Sequence, residues 1–216
     1  MPKARTLILS AWEPEVAPLR RLLRGAPVAG VALEPVGVGP VDAAIGAAQA
    51  IARLGPRRVI FVGTAGVYPG AAARALPIGA AAVAGELRLV STATLRGDAY
   101  APAPLVSAVE PAAAVRAALA RAATGDDSAP VSVVACPLAI TRTAALARRI
   151  AATGVALENL EAFAVARAAT AAGVAFGAVL GVSNVVGPKA HAEWRANHLR
   201  ASRAACRVVW TLLARR

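Results

Sequence analysis

VALEPVGVGPVDAAIGAAQAIARLGPRRVIFVGTAG, from Val31 to Gly66, is the stretch that decides the fold class. The apolar run Val31–Val38 ends in Gly37-Val38-Gly39, and Pro40 and Asp42 then open a helix to about Leu54. Proline suits a first helical position, and an acid suits the positive end of the helix dipole. A second apolar run, Arg57–Val62, leads into Gly63-Thr64-Ala65-Gly66. Strand, glycine turn, helix and strand in that order predict an α/β fold with a layered sheet.

The same alternation extends in both directions. Thr6–Ser10 reads as a first strand and Glu13–Leu23 as the helix after it. Downstream, Ala81–Thr94 reads as strand broken at Gly85-Glu86, Ala101–Pro104 as a proline loop, Pro111–Ala123 as a helix and Gly125-Asp126-Asp127-Ser128 as a turn. Val131–Ala135 is a strand, Thr143–Ala152 and Leu160–Ala172 are helices, Phe176–Val182 is a strand, and Ala190–Leu213 is a long closing helix. The 216 residues fit one domain over 1–216, with no internal repeat or linker.

Composition removes several classes of function. Hydrophobic residues make up 57% of the chain, but Ala, Val and Leu carry that figure, which suits helices packed tightly on a buried sheet. The longest uncharged run, Ala168 to Pro188, is interrupted by Gly173, Gly177, Gly181, Ser183, Asn184 and Gly187 and is not read as a membrane span. Leu7–Ala11 is too short for a signal peptide, so a cytoplasmic location is expected. Cys136 and Cys206 lack metal-ligand spacing. The net charge of +12 is spread in ones and twos and is dense only in the last segment, from Arg195 onward. That pattern predicts a solvated helix face and no nucleic-acid partner.

Ligands of open α/β sheets gather beyond the carboxyl ends of strands, so the loops there are the candidate site. Ala11-Trp12-Glu13-Pro14-Glu15-Val16 puts two acids directly after the first strand. Either acid could serve as a general base if desolvated, or both could simply favour the helix dipole. Gly37-Val38-Gly39-Pro40 lacks the third glycine of a dinucleotide fingerprint, with Asp42 in its place, so no such cofactor is expected. Gly63-Thr64-Ala65-Gly66 offers close backbone approach and free amides. Glu158-Asn159-Leu160-Glu161 opens a helix, and Ser183-Asn184 puts polar side chains at the end of an apolar strand. His191 and His198 can share a helix face, but without a third ligand no metal is expected. Trp12 and Trp194 are candidates either for a pocket wall or for packing.

Taken in this order, the segments resemble the purine nucleoside phosphorylase/nucleosidase superfamily, especially its methylthioadenosine nucleosidase and futalosine hydrolase branches. Ala11-Trp12-Glu13-Pro14-Glu15-Val16 is similar to the family's Ala-Met-Glu-Glu-Glu-Val, Gly37-Val38-Gly39-Pro40-Val41 to Gly-Ile-Gly-Lys-Val, and Gly63-Thr64-Ala65-Gly66 to Gly-Ser-Ala-Gly. Asn159-Leu160-Glu161-Ala162 stands where the family has Glu-Met-Glu-Ala, and Val182-Ser183-Asn184 where it has Ile-Ser-Asp. The resemblance implies a three-layer sandwich with a central mixed, twisted sheet flanked by helices.

It also implies roles. Glu161 would accept hydrogen bonds from the ribose 2′- and 3′-hydroxyls, Leu160 would pack on the sugar, and Thr64, Ala65, Gly66 and Ser183 would line the substrate site. Glu15 would deprotonate the attacking water, and Asn184 would hold the departing purine at N7. Asparagine offers an N–H donor where the adenine-specific relatives carry aspartate, which suits a 6-oxopurine. A carboxylate at Glu15 would repel a phosphate dianion, although Arg20 nearby in sequence keeps phosphorolysis as an alternative. Acid and amide together point to release of hypoxanthine from futalosine, a menaquinone-pathway reaction, or from a related nucleoside, by a homodimer or larger homo-oligomer. A non-catalytic nucleoside-binding relative is the third reading. Two departures stand out: Leu180 replaces a family arginine, and Ala145 falls near the family's base-stacking phenylalanine, for which Ile140 and Phe163 are the candidate substitutes.

Overall fold

A computed structural model describes residues 5–123 and 129–215 of the chain. The turn expected at 125–128 lies outside these residues.

The chain alternates strands and helices along most of its length. In order these are β1 (Thr6–Ser10), α1 (Glu13–Gly25), β2 (Val31–Pro35), α2 (Pro40–Leu54), β3 (Arg58–Val67) and α3 (Ala71–Ala75). Then come β4 (Ala81–Val90), α4 (Thr92–Arg96), β5 (Ala108–Val109), α5 (Ala113–Ala122), β6 (Val131–Pro137) and α6 (Ala144–Ala151). The last elements are β7 (Leu157–Glu158), α7 (Ala162–Ala171), β8 (Ala175–Val185) and α8 (Ala190–Ala214).

Among the described residues the strands form one mixed sheet of eight, in the order β2-β1-β3-β7-β6-β4-β5, with β8 pairing to both β3 and β4. The pairings therefore close β3, β8, β4, β6 and β7 into a ring, and β1 with β2 continues the sheet outward from β3. Alternation along the strands feeds two cores, because successive side chains point to opposite faces. Leu7, Leu9, Val59, Phe61, Ala178 and Leu180 bury against α2 and α7. Ile8, Ile60, Val62 and Val179 bury against α1, α5 and α8. Helices on both faces of a mixed sheet make the three layers expected. Alanine and glycine allow close helix contact: a Cβ on Gly181 of β8 would collide with the backbone of Ala201 of α8.

Several boundaries differ from the sequence reading. Gly63-Thr64-Ala65-Gly66 is not a loop; β3 runs through it, because β8 continues to pair with it as far as Val67↔Val185. The uncharged run Ala168–Pro188 is divided between the end of α7 and β8. The break anticipated at Gly85-Glu86 is a register shift in the β4–β6 ladder. Beyond Val90 the chain forms α4, capped by Ser91, whose Oγ accepts from the Thr94 amide at 3.2 Å. β5 and β7, at two residues each, are too short to leave a periodic signal. No helix among the described residues is long and apolar enough to cross a membrane.

Candidate active site

At the carboxyl ends of β1, β3 and β8 lies a cavity of about 400 Å³. Nine of the expected site residues line it: Glu15, Thr64, Ala65, Gly66, Ile140, Leu160, Glu161, Ser183 and Asn184. Phe163 does not. It packs in the core between sheet and helices, 7% exposed, because α7 begins only at Ala162 and its first turn carries the ring inward. Of the two proposed stacking side chains, Ile140 is the one on the wall, while Ala145 is exposed on α6. Leu180, where the resemblance anticipated arginine, is fully buried in the core.

The two acids after β1 have separate fates. Glu13 lies at the surface and holds Arg20 through two contacts of 2.7 and 2.8 Å. Glu15, 5% exposed, turns inward. Its Oε1 accepts from both the Thr64 amide and the Thr64 hydroxyl, each at 2.8 Å. Its Oε2 is buried with no hydrogen-bond partner. Burial pushes the Glu15 carboxyl up to about 7 against the opposing pull of the two Thr64 hydrogen bonds, and the nearby Glu161 charge adds to the rise. The Thr64 hydroxyl also accepts from the Trp194 indole N–H at 3.3 Å, so its own hydrogen is directed to Glu15.

Glu161 enters from the start of α7. Its Oε1 accepts from the Gly39 amide at 2.9 Å, so the backbone donor at the Gly37–Pro40 turn is held by this carboxylate. Gly39 sits at φ 88°, a conformation that favours glycine. Burial raises the Glu161 carboxyl above its ordinary range, with the Gly39 hydrogen bond opposing it. Asn159, which the sequence reading did not single out as a site residue, organises this corner. Its Oδ1 accepts from the Glu161 and Ala162 amides at 3.0 and 2.8 Å, and its Nδ2 donates to the Thr64 carbonyl at 3.0 Å. One side chain thus caps α7 and ties it to β3. An Asn three residues before the first residue of α7 was the available signal.

At the other end, the Ser183 hydroxyl lies 2.8 Å from Asn184 Oδ1 and 3.1 Å from the Ala65 carbonyl. Donation to Oδ1 leaves the Asn184 Nδ2 hydrogens for a ligand. Nδ2 lies over Gly66, where an added Cβ would come within 2.8 Å of it. A third carboxylate, Glu158, and the aromatic side chains Trp12, His191 and Trp194 complete the walls. Trp12 and Trp194 stack with centroids 6.0 Å apart, and His198 lies behind Trp194 at 4.7 Å. The two histidines therefore serve an aromatic cluster, and the described residues contain no group of three metal-ligating side chains.

The sequence model of the phosphorylase superfamily matches residues 8–214. The chain belongs to that superfamily. Solved structures superpose along nearly the whole chain. Futalosine hydrolase of Helicobacter pylori matches with a TM-score of 0.83 at 16% identity, covering 97% of each chain. The methylthioadenosine/adenosylhomocysteine nucleosidase of the same organism, solved with butyl-thio-DADMe-Immucillin-A, matches with a TM-score of 0.83 at 17% identity, covering 98% of this chain and 97% of that one. The Neisseria meningitidis nucleosidase, solved with methylthio-immucillin-A, gives 0.81 at 20% identity, covering 96% and 98%. Comparison with curated proteins returns no match.

Proposed function

We propose that this superfamily member hydrolyses the N-glycosidic bond of a purine nucleoside, releasing hypoxanthine from futalosine or from a related 6-oxopurine nucleoside. One observation carries the reading: Glu15 Oε2 is a buried, unpartnered acceptor on a cavity whose charged lining, among the described residues, is three carboxylates, Glu15, Glu158 and Glu161, with no lysine or arginine. A phosphate dianion would meet repulsion there, whereas a water would find a base. Arg20, the cation that could have favoured phosphorolysis, is engaged with Glu13 outside the lining.

In this mechanism Glu15 takes a proton from water as its oxygen bonds to C1′. The C1′–N9 bond breaks, its electron pair leaves with the base, and the purine anion is then protonated from solvent while Glu15 gives the water's proton back to solvent. The oxocarbenium-like charge on the ribose develops among the Glu15 and Glu161 carboxylates, which favour it. Glu161, holding Gly39 with Oε1, offers its remaining lone pairs to the ribose hydroxyls, and Leu160 packs beneath the sugar. Asn184 donates Nδ2–H to the departing base at its N7 and O6 edge, which matches an acceptor O6 rather than a donor amino group.

No cofactor takes part, and the functional unit is one domain over residues 1–216, acting in the cytoplasm. Apolar Val38 and Ile140, exposed by 62% and 58%, line the cavity at its rim, which supports a homo-oligomer in which a second copy covers that rim.

The decisive assay measures free base released from futalosine, inosine and methylthioadenosine, each with and without phosphate. Hypoxanthine release independent of phosphate, fastest from futalosine, is expected. Phosphate dependence would turn the assignment to phosphorolysis, adenine release would reverse the role given to Asn184, and tight nucleoside binding without turnover would make the protein a binding relative.

A further inference from the structure

Trp194 lines the cavity from near the start of α8, and its indole N–H is the far link of a chain of hydrogen bonds that ends on Glu15. The N–H donates to the Thr64 hydroxyl at 3.3 Å, and that hydroxyl donates to Glu15 Oε1 at 2.8 Å. The Thr64 amide, which donates to the same oxygen at 2.8 Å, is aimed by β3 and cannot turn away. The hydroxyl can, because its hydrogen rotates to suit its surroundings. A hydroxyl that faces a donor on one side must send its own hydrogen elsewhere. An indole is donor only, so the chain runs one way, from Trp194 through Thr64 to Glu15.

The indole is set in place independently of this bond. Its neighbour Glu193 accepts from the Val185 amide at 2.8 Å and so pins the first turn of α8 to the end of β8. The ring stacks with Trp12, His191 and His198 at interplanar angles of 29°, 19° and 21°. A donor already held by packing loses little further side-chain entropy in making its hydrogen bond.

We infer that Trp194 is a positioning residue for the reaction, its indole N–H committing the Thr64 hydroxyl to Glu15 and so holding that carboxylate in the ionised form that takes the proton from water. Without the indole N–H the hydroxyl is free to reverse, accepting from the protonated acid and favouring it. The inference rests on the reading of Glu15 as the base.

The test reads Glu15 directly. Carbon-13 carboxyl titration of the full chain, with the Glu15 signal identified by its loss in Glu15→Gln, gives a midpoint for wild type, Trp194→Phe, Thr64→Val and the double variant. Phenylalanine keeps an aromatic ring in the stack and removes the N–H. Trp194→Phe is expected to raise the midpoint by about half to one pH unit, the value of one neutral hydrogen bond, and to leave it unmoved in the Thr64→Val background. The other titratable groups around Glu15 are Glu13 on its own helix, Glu161 from α7, Glu158 from β7, Cys206 from α8, whose thiol donates to the Glu15 carbonyl at 3.3 Å, and the stacked His191 and His198. A shift carried by any of these would persist without the Thr64 hydroxyl. An unmoved or lowered midpoint in Trp194→Phe, or an equal rise in both backgrounds, overturns the inference. Should Trp194→Phe fail to fold, benzothienylalanine introduced at position 194, which keeps the bicyclic outline and puts sulfur in place of the N–H, gives the same comparison. Base release followed over the same pH range separates this inference from the hydrolase reading. A midpoint that moves as expected without cleavage of any purine nucleoside leaves the hold on Glu15 standing and removes the hydrolase reading, and cleavage with an unmoved midpoint does the reverse.

Discussion

Replacing Glu15 by glutamine should make the protein more stable and nearly inactive, and the gain in stability should depend on pH. Burial lifts the carboxyl from an ordinary 4.5 to about 7 in the folded chain. Each pH unit of such a rise disfavours the ionised form by about 1.4 kcal/mol, so ionised Glu15 destabilises the fold by about 3 kcal/mol. The sign follows from the proton balance. Below pH 4.5 the group is protonated in both states and costs nothing, the penalty grows as pH rises through the window to about 7, and above that it is complete.

The introduced carboxamide can accept from the Thr64 amide and remains neutral throughout. Urea unfolding of wild type and Glu15→Gln at pH 5 and pH 8 measures the difference with the titrations of groups that do not couple to Glu15 cancelled. The variant should gain about 3 kcal/mol at pH 8 and much less at pH 5, while base release falls by about 10²–10⁴-fold. A stability difference that is the same at both pH values, or that favours wild type at pH 8, would refute the assignment of Glu15 as a desolvated base.

The other predictions concern the groups around it. In wild type, kcat/KM for base release should drop about tenfold per pH unit below about 7, the value to which Glu15 is pushed up, and level off above it. Thr64→Val removes the hydroxyl donor at 2.8 Å from Glu15 Oε1 and should move that acid limb to higher pH, and an unmoved limb would separate Thr64 from Glu15. Gly66→Ala should cost about 1–3 kcal/mol in thermal or urea unfolding and about tenfold or more in activity, because the new Cβ displaces Asn184 Nδ2 and Val186. Asn159→Ala leaves the Glu161 and Ala162 amides and the Thr64 carbonyl without their partner and should lower unfolding stability by about 3 kcal/mol. Asn159→Asp, which keeps the acceptor for the two amides, should recover part of that loss.

Much of the fold was legible because its signals are local. Leu7, Ile8 and Leu9 alternate between two cores, as do Val59, Ile60 and Phe61, so an unbroken apolar run reads as a strand covered on both sides. Pro40 and Gly55 mark the ends of α2 by backbone geometry alone, the glycine closing it at φ 53°. What did not read correctly depends on partners distant in sequence. Gly63–Gly66 looks like a turn by composition and is strand because β8 pairs with it. Phe163 is an aromatic candidate to replace the family's stacking phenylalanine and is core because of where α7 begins.

The residue types of the candidate site, a carboxylate after β1, a carboxylate at the head of α7 and an amide late in β8, are properties of the sequence. Which carboxylate is a base is not. Glu13 and Glu15 share one helical turn and the same ordinary acidity, yet one forms a surface ion pair and the other is buried under Thr64 and Trp194. Desolvation depends on everything packed around a group, and for Glu15 that surrounding comes from residues 49 positions and more away. The same holds for Glu158, whose place opposite Asn184 is set by two strand pairings that meet at a single glycine.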